Sequence, residues 1–217
     1  MRIRIYVEGE SERAGLPKLL ALLSSRRLGI DVYPLRGGKF LPDIGWRVAE
    51  ILCADRDAHV FACPDLAPRD AYTSTRWAYR DYADLQHVLR REVVRELRHR
   101  LNARKAKGAA ARFHPHPFRH DFEVVLLACP DLLKRRLRTD TDITKHYNKR
   151  PEDQDFDQYP KKVVRRLFNQ FANRRYNPVD DAAAILEYAT TEHVKRVRQQ
   201  CPCLHEFLGA LEALGPV

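Results

Sequence analysis

The sequence predicts an α/β fold in which a mostly parallel sheet is flanked by helices and followed by a helical C-terminal extension. In the first third, strand-like and helix-like segments alternate, which is typical of parallel strands joined by crossover helices. A long helical segment with one apolar and one basic face follows. The last third carries amphipathic helical patterns. Together these features predict a sheet-containing core with helices around it.

The first strand and the first helix are predicted at the N-terminus. Residues 3–7 alternate apolar and polar side chains, and Gly9 ends that strand. Ser11 is a good capping residue for the helix that follows, whose leucines supply an apolar stripe. Arg2 and Arg4 are unusual on a strand that is covered on both faces.

Two further strands are predicted in the first third. Residues 31–35 form a short strand candidate that a glycine pair closes. A helix from about Ile44 to Cys53 separates it from the apolar run 59–63, which reads as a buried strand ended by a proline.

The middle of the chain is predicted to be mainly helical. From about Trp77 to Ala106, apolar residues recur at helical spacing, and Gly108 ends the helix. Residues 112–118 are a strand or a loop, because two prolines argue for a sheet edge. The apolar run 122–128 fits either a buried helix or a strand.

The predicted organisation has three parts. Residues 1–138 form the α/β core, including the long basic helix. Residues 139–160 are polar, rich in aspartate and interrupted by prolines, which predicts a loop or a mobile segment. Residues 161–217 form three short helices packed on the same core, with breaks at Asn177-Pro178 and Cys201-Pro202.

Composition indicates a soluble cytoplasmic protein with a polyanionic partner. The 217 residues include 39 Lys and Arg against 29 Asp and Glu, a formal net charge of +10, which favours nucleic acid. No apolar run approaches the roughly 18 residues of a membrane span, and no signal peptide is visible. Five scattered cysteines predict reduced thiols. Cys201-Pro-Cys203 lacks the CxxC spacing of a zinc site.

The first acidic motif follows the first predicted strand. Glu8 leaves the strand, Gly9 permits a tight turn, and Glu12 falls in the first helical turn. Ligands of α/β folds bind at the carboxyl ends of strands, and Mg²⁺ prefers carboxylate oxygens. Acidic residues also stabilise helix N-termini without any further function, so both interpretations stay open at this motif.

A second acidic residue, Asp65, follows the predicted strand 59–63 directly after Pro64. If that strand neighbours the first, Asp65 and Glu8 share one edge of the sheet. The alternative is an aspartate in an ordinary proline-aspartate turn.

The third motif is His120-Asp121-Phe122-Glu123, which precedes a buried apolar run. A histidine and two carboxylates are costly to bury unless they are solvated or bind something. His120 suits a general base, a metal ligand or a phosphate contact. Helix capping by Asp121 and a histidine at the edge of the core form the alternative.

Basic residues supply candidate phosphate contacts. The basic face of the long helix is either a solvated face or a surface that tracks phosphates, and Arg91, Arg95 and Arg98 are its candidates for nucleic-acid binding. Lys39 follows a glycine pair, but the loop lacks the GK[ST] sequence of a nucleotide-binding P-loop.

In this order, the acidic motifs resemble a TOPRIM-like family of small bacterial proteins related to the TOPRIM domains of OLD-type nucleases. Its V-E-G-x-[ST]-E motif is matched by residues 7–12, and its H-E-F-E-A-L-L-F motif by residues 120–127. Lys161-Lys162 and Cys201-Pro202 resemble its C-terminal part. TOPRIM sites pair a glutamate with an Asp-x-Asp, whereas Asp65-Leu66-Ala67 offers one aspartate.

The resemblance implies a Rossmann-like sheet and a Mg²⁺- or Mn²⁺-dependent nuclease, with DNA favoured over RNA. Glu8, Asp65, Asp121 and Glu123 are the implied metal ligands, and Glu8, Glu12 and His120 the implied catalytic residues. The resemblance also implies a separate ABC- or AAA-type ATPase partner and a defence or DNA-repair role, with a possible homo-oligomer. The alternative is a non-catalytic scaffold or adaptor of that ATPase, which the missing second aspartate favours.

Overall fold

A computed structural model describes residues 1–23, 29–35, 37–66, 72–147 and 149–215. The chain divides into two compact units. The sheet unit comprises Met1–Gly9 and Leu28–Pro117, and the helical unit comprises Glu10–Arg27 and Phe118–Val217. No helix in the described ranges is both long and apolar enough to cross a membrane.

Strands and helices alternate in the first half of the chain, and helices follow one another in the second. Within the described residues the elements are β1 (Arg2–Val7), α1 (Glu10–Leu20), β2 (Gly29–Pro34), α2 (Phe40–Ala54), β3 (Ala58–Cys63), α3 (Tyr82–Arg100), α4 (Ala103–Ala110), β4 (Phe113–Pro115), α5 (Val124–Leu127), α6 (Pro130–Leu137), α7 (Pro160–Ala172), α8 (Pro178–Leu186), α9 (Thr191–Gln200) and α10 (Pro202–Glu212).

The sheet of the first unit is parallel, as the alternation of strands and helices predicts. Its order is β2-β1-β3-β4 among the described residues, and every neighbouring pair runs parallel. On one face, Tyr6, Val60 and Phe113 join an apolar core that α2 and α3 complete. On the other face, Ile3 and Ile5 are fully buried. The predicted α/β fold class is confirmed.

The single long helix predicted from Trp77 to Ala106 is wrong, because the chain forms α3 and α4. Leu101 is extended, and the Asn102 side chain accepts a hydrogen bond from the backbone N–H of Lys105, which starts a new helix. Gly108 lies inside α4 instead of ending a helix.

Several other boundaries differ from the predictions. The strand predicted over 112–118 shortens to β4, since Pro115 cannot continue the ladder. The run 122–128, left open between helix and strand, contains α5. The last third contains four helices within its described residues, because Thr190 and His193 cap each other and begin α9.

The segment 139–160, predicted as a polar loop, carries three short 3-10 turns and buried side chains in its described residues. Ile143 is fully buried. The Glu152 carboxylate accepts hydrogen bonds from the backbone N–H groups of Cys203 and Leu204, 3.0 and 3.3 Å away, and so caps α10. The polar composition reflects helix capping as well as exposure to solvent.

Candidate functional site

Glu8 and Asp65 meet at the carboxyl edge of the sheet. The parallel pairing of β1 with β3 sets Val7 opposite Cys63, so the residues that follow each strand emerge side by side. The backbone N–H of Asp65 donates to Glu8 Oε2 at 3.1 Å. The structure therefore brings these two predicted residues together, and their role in binding a metal stays a prediction. Ala67, the position of the missing second aspartate, lies outside the described residues.

Three carboxylates are buried in the helical unit. Glu12, Asp121 and Glu123 are 1%, 5% and 0% exposed. Glu12 lies in the first turn of α1, where Ser11 Oγ donates to its Oε2 at 3.0 Å. Asp121 and Glu123 immediately precede α5. Buried carboxylates repel one another unless a proton or a cation joins them, so this cluster requires compensation.

Asp121 holds the backbone around the cluster. Its Oδ1 accepts from the backbone N–H of Glu123 at 3.2 Å, and its Oδ2 accepts from that of Lys161 at 3.1 Å. Burial raises the pKa of Asp121 to about 6, against the opposing effect of Lys161. Both oxygens are used by these bonds, which makes Asp121 a positioning residue for Glu123 and for the start of α7.

Glu123 is the least satisfied of the three. Within the described residues neither of its carboxylate oxygens has a hydrogen-bond partner, and Lys161 Nζ lies 3.7 Å from Oε2. Burial raises the pKa of Glu123 well above its usual value, the Asp121 and Glu12 charges raise it further, and Lys161 opposes them. A buried carboxylate with free acceptor oxygens suits a proton or a cation.

Close packing of α1 brings Glu12 to this cluster. Gly15 lies one turn beyond Glu12, and a Cβ there would stand 2.5 Å from a ring carbon of Phe122, the residue between Asp121 and Glu123. The glycine therefore allows α1 to approach the Asp121–Glu123 segment. On the same helix, Glu12 and Gly15 share the buried face with Leu16 and Leu19.

Magnesium fits the helical-unit cluster by donor chemistry. In the part of the chain that the structure describes, no group of three or more His, Cys, Asp and Glu side chains is placed to hold a metal ion together. Mg²⁺ commonly takes only one or two protein carboxylates and keeps several waters. The unbonded oxygens of Glu123, with Glu12 nearby in charge terms, match that requirement. His120 is 2% exposed in the same unit, and its catalytic role stays a prediction.

The predicted nucleic-acid contacts divide into two kinds. Arg91 and Arg95 both contact Glu92, a carboxylate that is 2% exposed, with Arg95 Nη1 at 2.8 Å from Oε2. These two guanidinium groups are held by the fold of the sheet unit. Lys39 and Arg98 are exposed and keep their charges at the surface. All four stay predictions as phosphate contacts.

Sequence reasoning missed Lys161 and Tyr176 as neighbours of the acidic cluster. Lys161 was identified only as part of a lysine pair, yet it supplies the cation beside Glu123. Burial raises the pKa of Tyr176, and the nearby Glu123 charge raises it further, which places this phenol beside the cluster. An isolated tyrosine before Asn177-Pro178 carries no signal in the sequence.

Known proteins are similar to the chain in fold and in family. The C-terminal region of the Burkholderia pseudomallei OLD protein has a TM-score of 0.50 at 15% identity, covering 95% of this chain and 98% of that one. The corresponding region from Xanthomonas campestris pv. campestris gives 0.44 at 18% identity, covering 98% of both chains. The likeness to the Burkholderia region shows a shared fold.

No curated protein matches the chain in sequence. A family model described as "Domain of unknown function (DUF4276)" matches residues 7–212, which is nearly the whole sequence. The match begins at the last residue of β1 and includes both acidic motifs, the carboxylate cluster and all four C-terminal helices. The chain therefore belongs to the DUF4276 family.

Proposed function

We propose that this protein is a metal-dependent nuclease-type domain that transfers phosphoryl groups of nucleic acid. The observation that carries the proposal is the fully buried Glu123 carboxylate, whose oxygens have no hydrogen-bond partner among the described residues and which lies beside Lys161. The basic composition and the resemblance of the acidic motifs to TOPRIM-like proteins support a phosphodiester substrate.

Glu123 and Glu12 are the proposed carboxylates for Mg²⁺ or Mn²⁺ in the helical unit. A divalent cation supplies charge that neutralises a phosphate and activates water for attack. Asp121 positions the backbone of Glu123 through its two backbone hydrogen bonds. Lys161 offsets the negative charge of the cluster. His120 and Glu12 are the proposed proton carriers, because both groups can hold a proton near neutral pH or in a buried site.

Glu8 and Asp65 form a second proposed pair of metal ligands, in the sheet unit. The proposal rests on their contact at the carboxyl edge of the parallel sheet, where α/β folds bind ligands. The resemblance assigns the first of them to a conserved type of TOPRIM glutamate. Separate variants of Glu8 and Glu123 therefore test the two acidic groups independently.

The proposal is tested by cleavage of supercoiled plasmid, single-stranded DNA and RNA with Mg²⁺ or Mn²⁺. We expect cutting that EDTA abolishes and that Glu123→Gln lowers about 100-fold or more, the upper end of losses for groups that support a metal ligand. Glu8→Gln is expected to lower it as well. Glu192→Gln, at an exposed glutamate paired with Lys195, is the control and keeps full activity.

Two outcomes contradict the proposal. The first is metal-dependent cutting that Glu123→Gln and Glu8→Gln leave unchanged, which would indicate a contaminating nuclease. The second is the absence of cutting on all three substrates. That result would favour the non-catalytic adaptor, and a co-purified ATPase that stimulates no cutting would strengthen that alternative.

A further inference from the structure

A cleft in the sheet unit gathers three arginines at the amino end of β1. Arg2, Arg4 and Tyr6 alternate along one face of β1, and Arg47 and Glu50 reach the same cleft from α2. Its volume is about 580 Å³. We call it the arginine cleft. It accounts for the two arginines that look out of place on a central strand, because this part of the strand faces an open groove.

Two guanidinium groups in the arginine cleft lack acceptors. The Nε atoms of Arg4 and Arg47 are buried and have no hydrogen-bond partner among the described residues. The ion pair of Arg47 with Asp43 is long, at 3.9 Å, whereas Arg2 is held by Asp55 at 3.5 Å. A buried donor without an acceptor is unfavourable, so these two groups are arranged for an acceptor supplied from outside the protein.

The charges of the two arginines converge on one point. Burial raises the pKa of Tyr6, and the Arg47 and Arg4 charges both oppose that increase, so both guanidinium groups lie near the Tyr6 hydroxyl. The charged residues that line the cleft are three arginines against Glu50 and Asp55, and Asp55 is paired with Arg2. The excess positive charge therefore belongs to Arg4 and Arg47, which suits a phosphate.

Aromatic rings border the same arginines. Tyr33 and Trp46 are each 38% exposed and are among the few large apolar side chains at the surface of the described residues. The Arg47 guanidinium lies 4.5 Å from the centre of the Trp46 ring, and that of Arg4 lies 5.9 Å from the Tyr33 ring. Exposed rings beside cationic groups are the features with which proteins stack bases of single-stranded nucleic acid.

The arginine cleft lies at the opposite end of β1 from Glu8. Arg4 and Glu8 are four residues apart, which corresponds to about 13 Å along a strand. The cleft is therefore separate from the acidic pair at the carboxyl edge of the sheet. It also differs from the exposed basic face of α3, because its arginines are partly buried and combined with aromatic rings.

We propose that the arginine cleft binds a single strand of nucleic acid, with a backbone phosphate on Arg4 and Arg47 and a base stacked on Tyr33 or Trp46. The inference rests on the proposed function only in taking nucleic acid as the ligand. It adds a single-stranded preference and a binding site away from the acidic residues. Because phosphate contacts and stacking both tolerate any base, the binding has little sequence preference.

The test measures binding by fluorescence anisotropy without divalent metal, so that cleavage does not enter. The probes are a labelled 12-nucleotide oligothymidylate, a 12-base-pair duplex and an oligomer of the same length made of abasic sites. The variants are Arg4→Gln with Arg47→Gln, Tyr33→Ala with Trp46→Ala, and the charge-matched control Arg165→Gln with Arg175→Gln. Both control positions are exposed arginines of the helical unit. Circular dichroism confirms that each variant is folded.

We expect the arginine variant to bind the oligothymidylate about 10-fold or more weakly, and the slope of log affinity against log salt to fall by about 1.4, for two lost phosphate contacts on a single strand. The aromatic variant is expected to lose affinity for the oligothymidylate and not for the abasic oligomer. The control variant keeps the wild-type affinity, and the duplex binds more weakly than the single strand.

Equal losses in the arginine variant and in the control would overturn the inference, because they would show a general charge effect. Equal losses of the aromatic variant on the thymidylate and abasic probes would overturn the stacking part. Failure of the proposed function is recognised separately: a protein that binds through the cleft but cuts no substrate with Mg²⁺ or Mn²⁺ keeps this inference and loses the nuclease.

Discussion

Lys161 Nζ lies 3.7 Å from Glu123 Oε2, and the carboxylate is fully buried whereas the lysine side chain keeps contact with solvent. This asymmetry leaves the charge of Glu123 offset by one partly hydrated cation, while Asp121 and Glu12 raise the pKa of the same group. A buried charge with incomplete compensation destabilises a fold, and such arrangements are typical of functional sites.

The first prediction concerns this ion pair. Lys161→Met should lower the free energy of unfolding by about 3–5 kcal/mol, because it leaves a buried carboxylate without its cation. In a Glu123→Gln background the same substitution should cost much less, since no charge remains to be offset. Urea unfolding of the two single variants and the double variant measures the coupling. Equal costs in both backgrounds would show that Lys161 acts through other contacts.

A second prediction concerns the packing of α1. Gly15→Ala should destabilise the protein by about 1–3 kcal/mol, because its Cβ would stand 2.5 Å from the buried Phe122 ring. Gly108→Ala is the matched control: it is also helical, its Cβ meets nothing within 4 Å, and it should stabilise by up to about 1 kcal/mol. Thermal unfolding of both variants compares them, and stabilisation by Gly15→Ala would contradict the close approach.

The third prediction concerns Asp181, which joins α8 to two arginines. Its carboxylate accepts hydrogen bonds from Arg136 at 2.9 Å and from Arg174 at 2.6 and 2.8 Å, and it is 1% exposed. Asp181→Asn should cost about 3–5 kcal/mol in urea unfolding at pH 7, because it breaks a buried pair on one side. The neighbouring exposed Asp180→Asn should change stability by no more than about 0.5 kcal/mol.

Burial would raise the pKa of Asp181, but the bonds from Arg174, the Asn177 backbone N–H and Arg136 outweigh it and lower the pKa. A carboxylate with a lowered pKa stabilises the fold above its unfolded-state pKa of about 3.9 and loses that contribution as the pH falls through its folded-state value. The difference between wild type and Asp181→Asn should therefore shrink in strongly acidic solution. A difference that is constant with pH would contradict an ionised Asp181.

The fourth prediction concerns two histidines of β4 and the residue after it. Burial lowers the pKa of His114 to about 4, helped by His59, and burial with the Arg90 charge lowers that of His116 to about 4. Both stay neutral in the folded protein while the unfolded chain protonates near pH 6.5, so stability falls as the pH drops from about 6.5 towards 4.

His114→Gln removes one of these groups and should make stability less sensitive to pH between 7 and 5. The substitution also breaks the contact of His114 with His59, whose ring nitrogens are 3.0 Å apart, so stability at pH 7 falls as well. The exposed His87→Gln is the control and should leave the pH dependence unchanged. Equal pH dependence of wild type and His114→Gln would contradict the burial effect.

The strands were predictable because their signals are local. Alternation in residues 3–7 and the apolar run 59–63 both correspond to strands, and the parallel order follows from the crossover helices. The break between α3 and α4 was not predictable from periodicity, since the apolar spacing continues across it and one side-chain bond from Asn102 decides it.

The site was predictable in its residue types and less so in its partners. The contact of Asp65 with Glu8 follows from the pairing of β1 with β3, which the sequence suggests. Lys161 reaches Glu123 from 38 positions further along the chain, and no local pattern encodes such a contact. The basic face of α3 was overestimated as free charge, because Glu92 is buried and attracts Arg91 and Arg95.

The most direct test of the metal-binding claim is the affinity for Mn²⁺, measured by electron paramagnetic resonance of the free ion in titrations of wild type, Glu123→Gln and the exposed control Glu192→Gln. The account predicts a site in the wild type and in the control whose affinity falls about 10- to 100-fold in Glu123→Gln. Equal Mn²⁺ binding by wild type and Glu123→Gln, or no binding by the wild type, would contradict it.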